Sequence, residues 1–266
     1  MPRDRFNIVI VGAGNVAYHL GRALRGAGHR LLLLTNRDRE HGEKLAFELG
    51  CPFGPLGTPI PEKADVVLIC VKDDAIAPVA SSLFCPGRVV AHTSGNVPLS
   101  ALGDCSDRLG VFYPLQMMHR GSGVDMARVP FCIEANARWS EGLLLELART
   151  MSSNVQVMDS HQRKVAHLAA VFACNFSNHM YGIAQHILQR EGLTLDLLRP
   201  LIVQTAQNVQ HTDPAKVQTG PARRNDTRVM DEHIAMLRST DPDLEELYRA
   251  LSQRIVAQQN PKVKEA

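Results

Sequence analysis

The chain has 266 residues, too long for one small domain and comfortable for two. With 45% hydrophobic and 21% charged residues it can build a packed core, which argues against disorder. Its formal charge is +2, and no basic tract or aromatic ladder stands out, so nucleic acid is not an expected partner.

Asn7 to Val11 is a short β-branched apolar run that leads directly into Gly12-Ala13-Gly14-Asn15-Val16-Ala17. A helical pattern follows, with Val16, Leu20, Ala23 and Leu24 on one face, and it stops near Gly26-Ala27-Gly28. Leu31 to Leu34 is the next strand, and a charged helix is expected from about Asp38 to Leu49. The alternation continues through a strand at Asp65 to Val71, a helix at Asp74 to Phe84 and a strand at Arg88 to His92. Leu109 to Phe112 and Pro130 to Glu134 are shorter strand candidates; a helix at Ser140 to Met151 and a strand at Val155 to Met158 follow. This order predicts an α/β fold of the Rossmann type, a doubly wound and mainly parallel sheet.

Beyond about Asp159 no strand pattern returns. Ser160 to Arg190 reads as one long helix, followed by helices at Leu195 to Gln210, Thr227 to Arg238 and Leu244 to Gln258. Two domains are therefore expected, residues 1–158 and residues 159–266, the second all-helical, with a frayed polar tail from Asn260 to Ala266. No apolar run approaches the roughly 20 residues that cross a bilayer. The N-terminal run is too short for a signal peptide, and the six cysteines are scattered without a CxxC, so a reduced cytoplasmic protein without a metal site is expected.

The glycine turn sits where dinucleotide binding needs it, after a strand and at the start of a helix. Gly12 permits the tight turn, Gly14 lets the backbone approach a pyrophosphate, and Ala17 allows close helix–strand packing. Ala13, Asn15 and Val16 complete the turn, and the helix start offers N–H groups to the phosphates. At the end of the second strand stand Thr35-Asn36-Arg37, where an NAD site would place an acid. An Arg there can pair with the 2′-phosphate of NADP, and Thr35 can add a donor. In the competing reading Asp38 is the ribose acid and Arg37 is a solvated charge, but Asp38 also suits a helix N-cap.

Further candidates lie at strand ends. His92-Thr93-Ser94-Gly95 follows a strand, so His92 is a candidate acid or base and Ser94 a candidate substrate contact, with a plain capping turn as the alternative. Val71 and Lys72 end the preceding strand, where Asp73 or Asp74 reads as a helix cap, and Thr93 faces the same region. On the long helix, ideal winding puts Lys164, Val171, Cys174 and Asn178 on one side with His167, and Asn175 at its edge. Such a stripe lines a site or satisfies a core. Arg223 and Arg224, held between Gly220-Pro221 and a capping Asp226, either bind an anion or are surface charges.

The motifs GAGNVA, HTSG, FYPLQ (Phe112 to Gln116), HLAAVFACNFSNH (His167 to His179) and GPARRND (Gly220 to Asp226) together resemble one family. Its members are NADP oxidoreductases that join a Rossmann-like domain to a helical domain of unknown function. They are similar in architecture to pyrroline-5-carboxylate reductases, deazaflavin-dependent NADP reductases and β-hydroxyacid dehydrogenases. The resemblance implies a homodimer formed through the helical domain and an active site between the domains. In β-hydroxyacid dehydrogenases a catalytic Lys precedes an Asn by four residues. Here Val171 stands four residues before Asn175, and His167 four before that, so the lysine role does not transfer directly.

Two functions remain open at this level. One is an NADP(H)-dependent oxidoreductase acting on a small carbonyl or imine, possessing His92, Ser94, His167, Asn175 and Asn178 as site residues and Arg224 as the holder of an acidic group. The other is a non-catalytic NADP(H)-binding sensor or regulatory dimer.

Overall fold

The computed structural model describes residues 5–259. Eight strands form one sheet: β1 (Asn7–Val11), β2 (Arg30–Asn36), β3 (Phe53–Pro55), β4 (Val66–Ile69), β5 (Val89–His92), β6 (Arg108–Pro114), β7 (Phe131–Ala135) and β8 (Val155–Val157). Their order is β3-β2-β1-β4-β5-β6-β7-β8. All neighbours run parallel except β6 and β7, which are antiparallel. The sequence outlines this α/β sheet but misses β3, whose three residues, Phe53, Gly54 and Pro55, carry too little apolar pattern to stand out.

Strand alternation builds two apolar layers. Along β1, Ile8 and Ile10 point into a core with Leu20 and Leu24 of helix α1 (Asn15–Gly26) and Leu45 and Leu49 of helix α2 (Arg39–Leu49). Leu144 and Leu147 of helix α4 (Arg138–Arg149) join that layer. Val9 and Val11 point the other way, toward Ile76 and Val79 of helix α3 (Asp73–Ser81). Each fully buried aliphatic side chain contributes about 1.5–3 kcal/mol by removal from water, so β1 holds the two layers together.

The expected long helix after Asp159 is three segments. Helix α5 (Ser160–Ala170) starts with a capping box between Asp159 and Gln162, a π-helical stretch spans Val171–Phe176, and helix α6 covers Ser177–Arg190. Helices α7 (Arg199–His211), α8 (Pro214–Val217), α9 (Thr227–Thr240) and α10 (Pro242–Gln259) follow. Pro200 sits in the first turn of α7, where a missing N–H costs nothing, so the helix starts later than Leu195. The chain forms two compact units, one running through Met180 and the other starting at Tyr181. The expected frayed tail lies outside the described residues. Among the described residues no helix is long and apolar enough to cross a membrane.

Candidate active site

In the strand order, β1 is flanked by β2 on one side and β4 on the other, so the chain reverses its direction of winding between β1 and β4. Ligands of open α/β sheets bind beyond the carboxyl ends of strands at such a point. Gly12 sits there with φ +115°, and a Cβ on it would lie 2.3 Å from the carbonyl oxygen of Cys70 at the end of β4. Both the dihedral and the contact require glycine. Its N–H donates to the Thr35 carbonyl at 2.7 Å, tying the turn to the end of β2.

Gly14 is the N-cap of α1, and a Cβ there would meet nothing within 4 Å. The first turn of α1, which includes Asn15 and Val16, has neither a capping side chain nor an acidic residue. Ala17 is fully buried beneath it. Open space, uncapped N–H groups and the positive end of a helix dipole are what a pyrophosphate needs, so the residues fit a dinucleotide.

At the end of β2, Thr35 is buried and Arg37 is exposed. Asp38 is committed elsewhere. One carboxylate oxygen accepts from the His41 N–H at 3.1 Å, and the other pairs with the His41 ring at 2.9 Å. The backbone bond from His41, then its side chain, holds the Asp38 carboxyl below its usual range. Asn36 donates to the Asp38 carbonyl at 2.7 Å. Asp38 is thus the N-cap of α2, and among the described residues Arg37 has no carboxylate partner.

Val71 closes on Gly12 from the next strand end, with its Cγ1 3.1 Å from where a Gly12 Cβ would stand. Lys72 is the exposed N-cap residue of α3 and makes no side-chain cap bond. Asp73 and Asp74 lie inside the first turn, where they complement the helix dipole; the sequence had suggested one of them as the cap. Thr93 is buried, and its N–H and hydroxyl both donate to the Ile69 carbonyl, at 3.2 and 3.3 Å.

His92 differs from the acid or base that its place at a strand end suggested. It is fully buried, and its Nδ1 accepts from the Ser94 N–H at 3.2 Å. Burial first, and the charge of Arg163 second, push its pKa from 6.5 down to about 4. A neutral, enclosed imidazole is a poor proton donor at neutral pH. Ser94 takes the capping role: its Oγ accepts from the N–H groups of Asn96 and Val97, each at 3.0 Å.

A different pair stands beside this turn. The Tyr113 hydroxyl at the end of β6 lies 3.0 Å from Nδ1 of His167 on α5. Gly95 is packed so closely that a Cβ would fall 2.6 Å from the Tyr113 ring and 2.9 Å from His167 Nδ1. Burial pushes the Tyr113 phenol up to about 12, so it stays protonated at neutral pH. Helix α5 is fixed one turn earlier. Arg163, fully buried, pairs with Glu134 of β7 and donates to the Val97 carbonyl at 2.6 Å. Ser160 donates to the Glu134 carboxylate at 2.9 Å and accepts from the Leu99 N–H at 3.3 Å.

The stripe was drawn for ideal winding, and a π-helical segment spans Val171–Phe176, where i→i+5 bonding winds the chain more slowly. Asn175, within the segment, and Asn178, just after it, are exposed, as is Lys164. In the second unit, Arg224 is exposed in a single 3₁₀ turn, Ala222–Arg224, ahead of Asn225 with φ 52° and of Asp226, the N-cap of α9. Among the described residues no group of three His, Cys, Asp or Glu side chains is placed to hold a metal ion. Tyr113 is the residue that sequence reading passed over, although it lies inside the FYPLQ motif.

Residues 7–93 match the family model described as NADP oxidoreductase, coenzyme F420-dependent, and residues 129–255 match a domain of unknown function, DUF2520. A protein of Bacteroides fragilis, provisionally described as an NADP oxidoreductase, is 35% identical; the match covers 95% of this chain and 98% of that one, with a TM-score of 0.88. A reductive aminase from Aspergillus terreus, solved with NADPH and ethyl levulinate, is 13% identical over 96% of this chain and 94% of its own, with a TM-score of 0.66. A 1-pyrroline-5-carboxylate reductase from Streptococcus pyogenes is 11% identical over 97% of this chain and all (100%) of its own, with a TM-score of 0.63. No curated protein matches the sequence significantly.

Proposed function

The chain belongs to the family of NADP oxidoreductases that join a Rossmann-like domain to a helical domain of unknown function, and from that membership we propose an NADP(H)-dependent reductase of a small carbonyl or imine. The protein is an oxidoreductase and its cofactor is NADP. The observation that carries the cofactor assignment within this chain is the commitment of Asp38 to capping α2, which leaves Arg37 as the charge at the end of β2. Gly12 to Ala17 would hold the pyrophosphate, with Thr35, Asn36 and Arg37 at the 2′-phosphate, and Val71, Lys72 and Thr93 along the next strand ends.

Bound NADPH supplies a hydride to an electrophilic carbon. The chain must supply the matching proton and hold the heteroatom that receives it. We assign that task to Tyr113 and His167. A protonated His167 can donate from Nδ1 to the Tyr113 hydroxyl oxygen, which orients the ring, and can give its Nε2 proton to the substrate heteroatom, leaving a neutral imidazole. His92 and Ser94 support the turn that carries Gly95 against this pair. Asn175 and Asn178 are proposed as polar contacts to the substrate, and Arg224 as the partner of an acidic group. The reductive aminase, solved with a keto ester, and the pyrroline-5-carboxylate reductase support a small carbonyl or imine as the substrate class.

The sequence partition stays part of this proposal: residues 1–158 for cofactor, residues 159–266 for substrate and dimerisation. A homodimer is supported by exposed apolar side chains on α5 and the π-helical segment, Val165, Leu168, Phe172 and Phe176. The six free thiols fit the reducing cytoplasm. Replacing Arg37 by Ala should weaken NADPH about tenfold or more while changing NADH little, as loss of a charge-assisted bond to phosphate alone predicts. Fluorescence titration with both cofactors checks this, and equal losses would remove Arg37 from the site.

A further inference from the structure

Arg120 lies in the loop between β6 and β7, far along the chain from the glycine turn, yet its Nη2 donates to the Ala13 carbonyl at 2.9 Å. Its guanidinium carbon stands 5.5 Å from the centroid of the Tyr18 ring, in the first turns of α1. Arg22 lies 5.4 Å from the same centroid and donates to the Tyr18 hydroxyl at 3.2 Å. Among the described residues neither guanidinium meets a carboxylate.

The loop is built to present this arginine. The His119 carbonyl accepts from the Ser122 N–H at 2.9 Å, from the Ser122 hydroxyl at 2.7 Å and from the ring of buried His19 on α1 at 2.9 Å. The His119 ring accepts from the Gly121 N–H at 3.1 Å. Arg120 is half-buried at the tip of this turn, directly over Ala13. One N–H bond and a ring contact fix its plane, and the other guanidinium donors are left for an anion.

We propose that Arg120 is a cofactor-positioning residue that closes the β6–β7 loop over the glycine turn and pairs with the dinucleotide pyrophosphate. This rests on the NADP assignment above and adds to it a side-chain clamp opposite the helix N–H groups. Two phosphate charges between uncapped N–H groups and a planar, bidentate donor are held more firmly than by backbone alone.

The test is a set of fluorescence and competition titrations on the full chain and on Arg120→Met and Arg120→Lys, with melting of each protein free of cofactor. NADPH and 2′-phospho-ADP-ribose carry the pyrophosphate; adenosine 2′-monophosphate does not. Arg120→Met should weaken the first two ligands about tenfold or more and leave the third unchanged, without a matching loss in melting temperature. If Arg120→Met fails to fold, Arg120→Lys decides, since it keeps the stem and a point charge but loses the fork; it should weaken the same two ligands by a smaller factor. Unchanged affinity for NADPH in the folded variant, or an equal loss for all three ligands, would overturn the clamp. Failure of the unaltered protein to bind NADPH would instead overturn the cofactor assignment itself.

Discussion

His92 shows how burial rewrites what a residue type suggests. A histidine at a strand end reads as an acid or base, yet full enclosure and the nearby Arg163 charge keep it neutral. The consequence is a pH dependence of stability. In the unfolded chain this histidine titrates near 6.5, and in the fold near 4, so between those values the unfolded state binds more protons. Stability from this group is fully present above pH 6.5 and is lost as pH falls toward 4, on the order of 3 kcal/mol in all. His92→Gln should therefore flatten the acid limb of a Tm-against-pH curve over that window. An acid limb as steep as that of the unaltered protein would mean His92 is not held neutral. His167 carries the opposite lesson: the sequence nominates it, and what gives it a partner is Tyr113, 54 residues away in the chain.

Elements were legible where periodicity is strong. The buried strands β1, β4 and β5, the glycine turn and the cap at Asp38 could be read because each is a local pattern. What could not be read is set by contacts between distant segments. The β6–β7 antiparallel pairing, the anchoring of α5 through Arg163 and Glu134, and the Arg120 contact with Ala13 all depend on the assembled sheet. The π-helical segment escaped because its extra residue per turn leaves no mark in an apolar sequence, and it changes the winding on which the stripe with Asn175 and Asn178 was drawn. The same stretch exposes Leu168 (58%), Phe172 (63%) and Phe176 (46%), enough apolar surface to need a cover. Sedimentation should find a dimer, and Leu168→Glu combined with Phe172→Glu should give monomers by placing buried charges in the interface. A monomeric unaltered protein would refute this face as the contact.

At the scale of the whole molecule, the sheet order places several strand ends around one turn, which is where the proposal seats NADP. In the proposed reaction, proton supply rests on the Tyr113–His167 pair. Many proteins share a Rossmann sheet without sharing a reaction, so the pair and not the sheet determines the chemistry. The decisive measurement is NADPH oxidation in the presence of a panel of small cyclic imines and keto acids, by the unaltered protein, Tyr113→Phe and His167→Ala. Turnover should appear with a member of the panel, fall about a hundredfold or more in kcat with either substitution, as removal of a general acid does, and leave NADPH affinity intact. Turnover undiminished by both substitutions would contradict the assignment of the proton donor, and NADPH binding with no turnover across the panel would contradict the reductase reading itself.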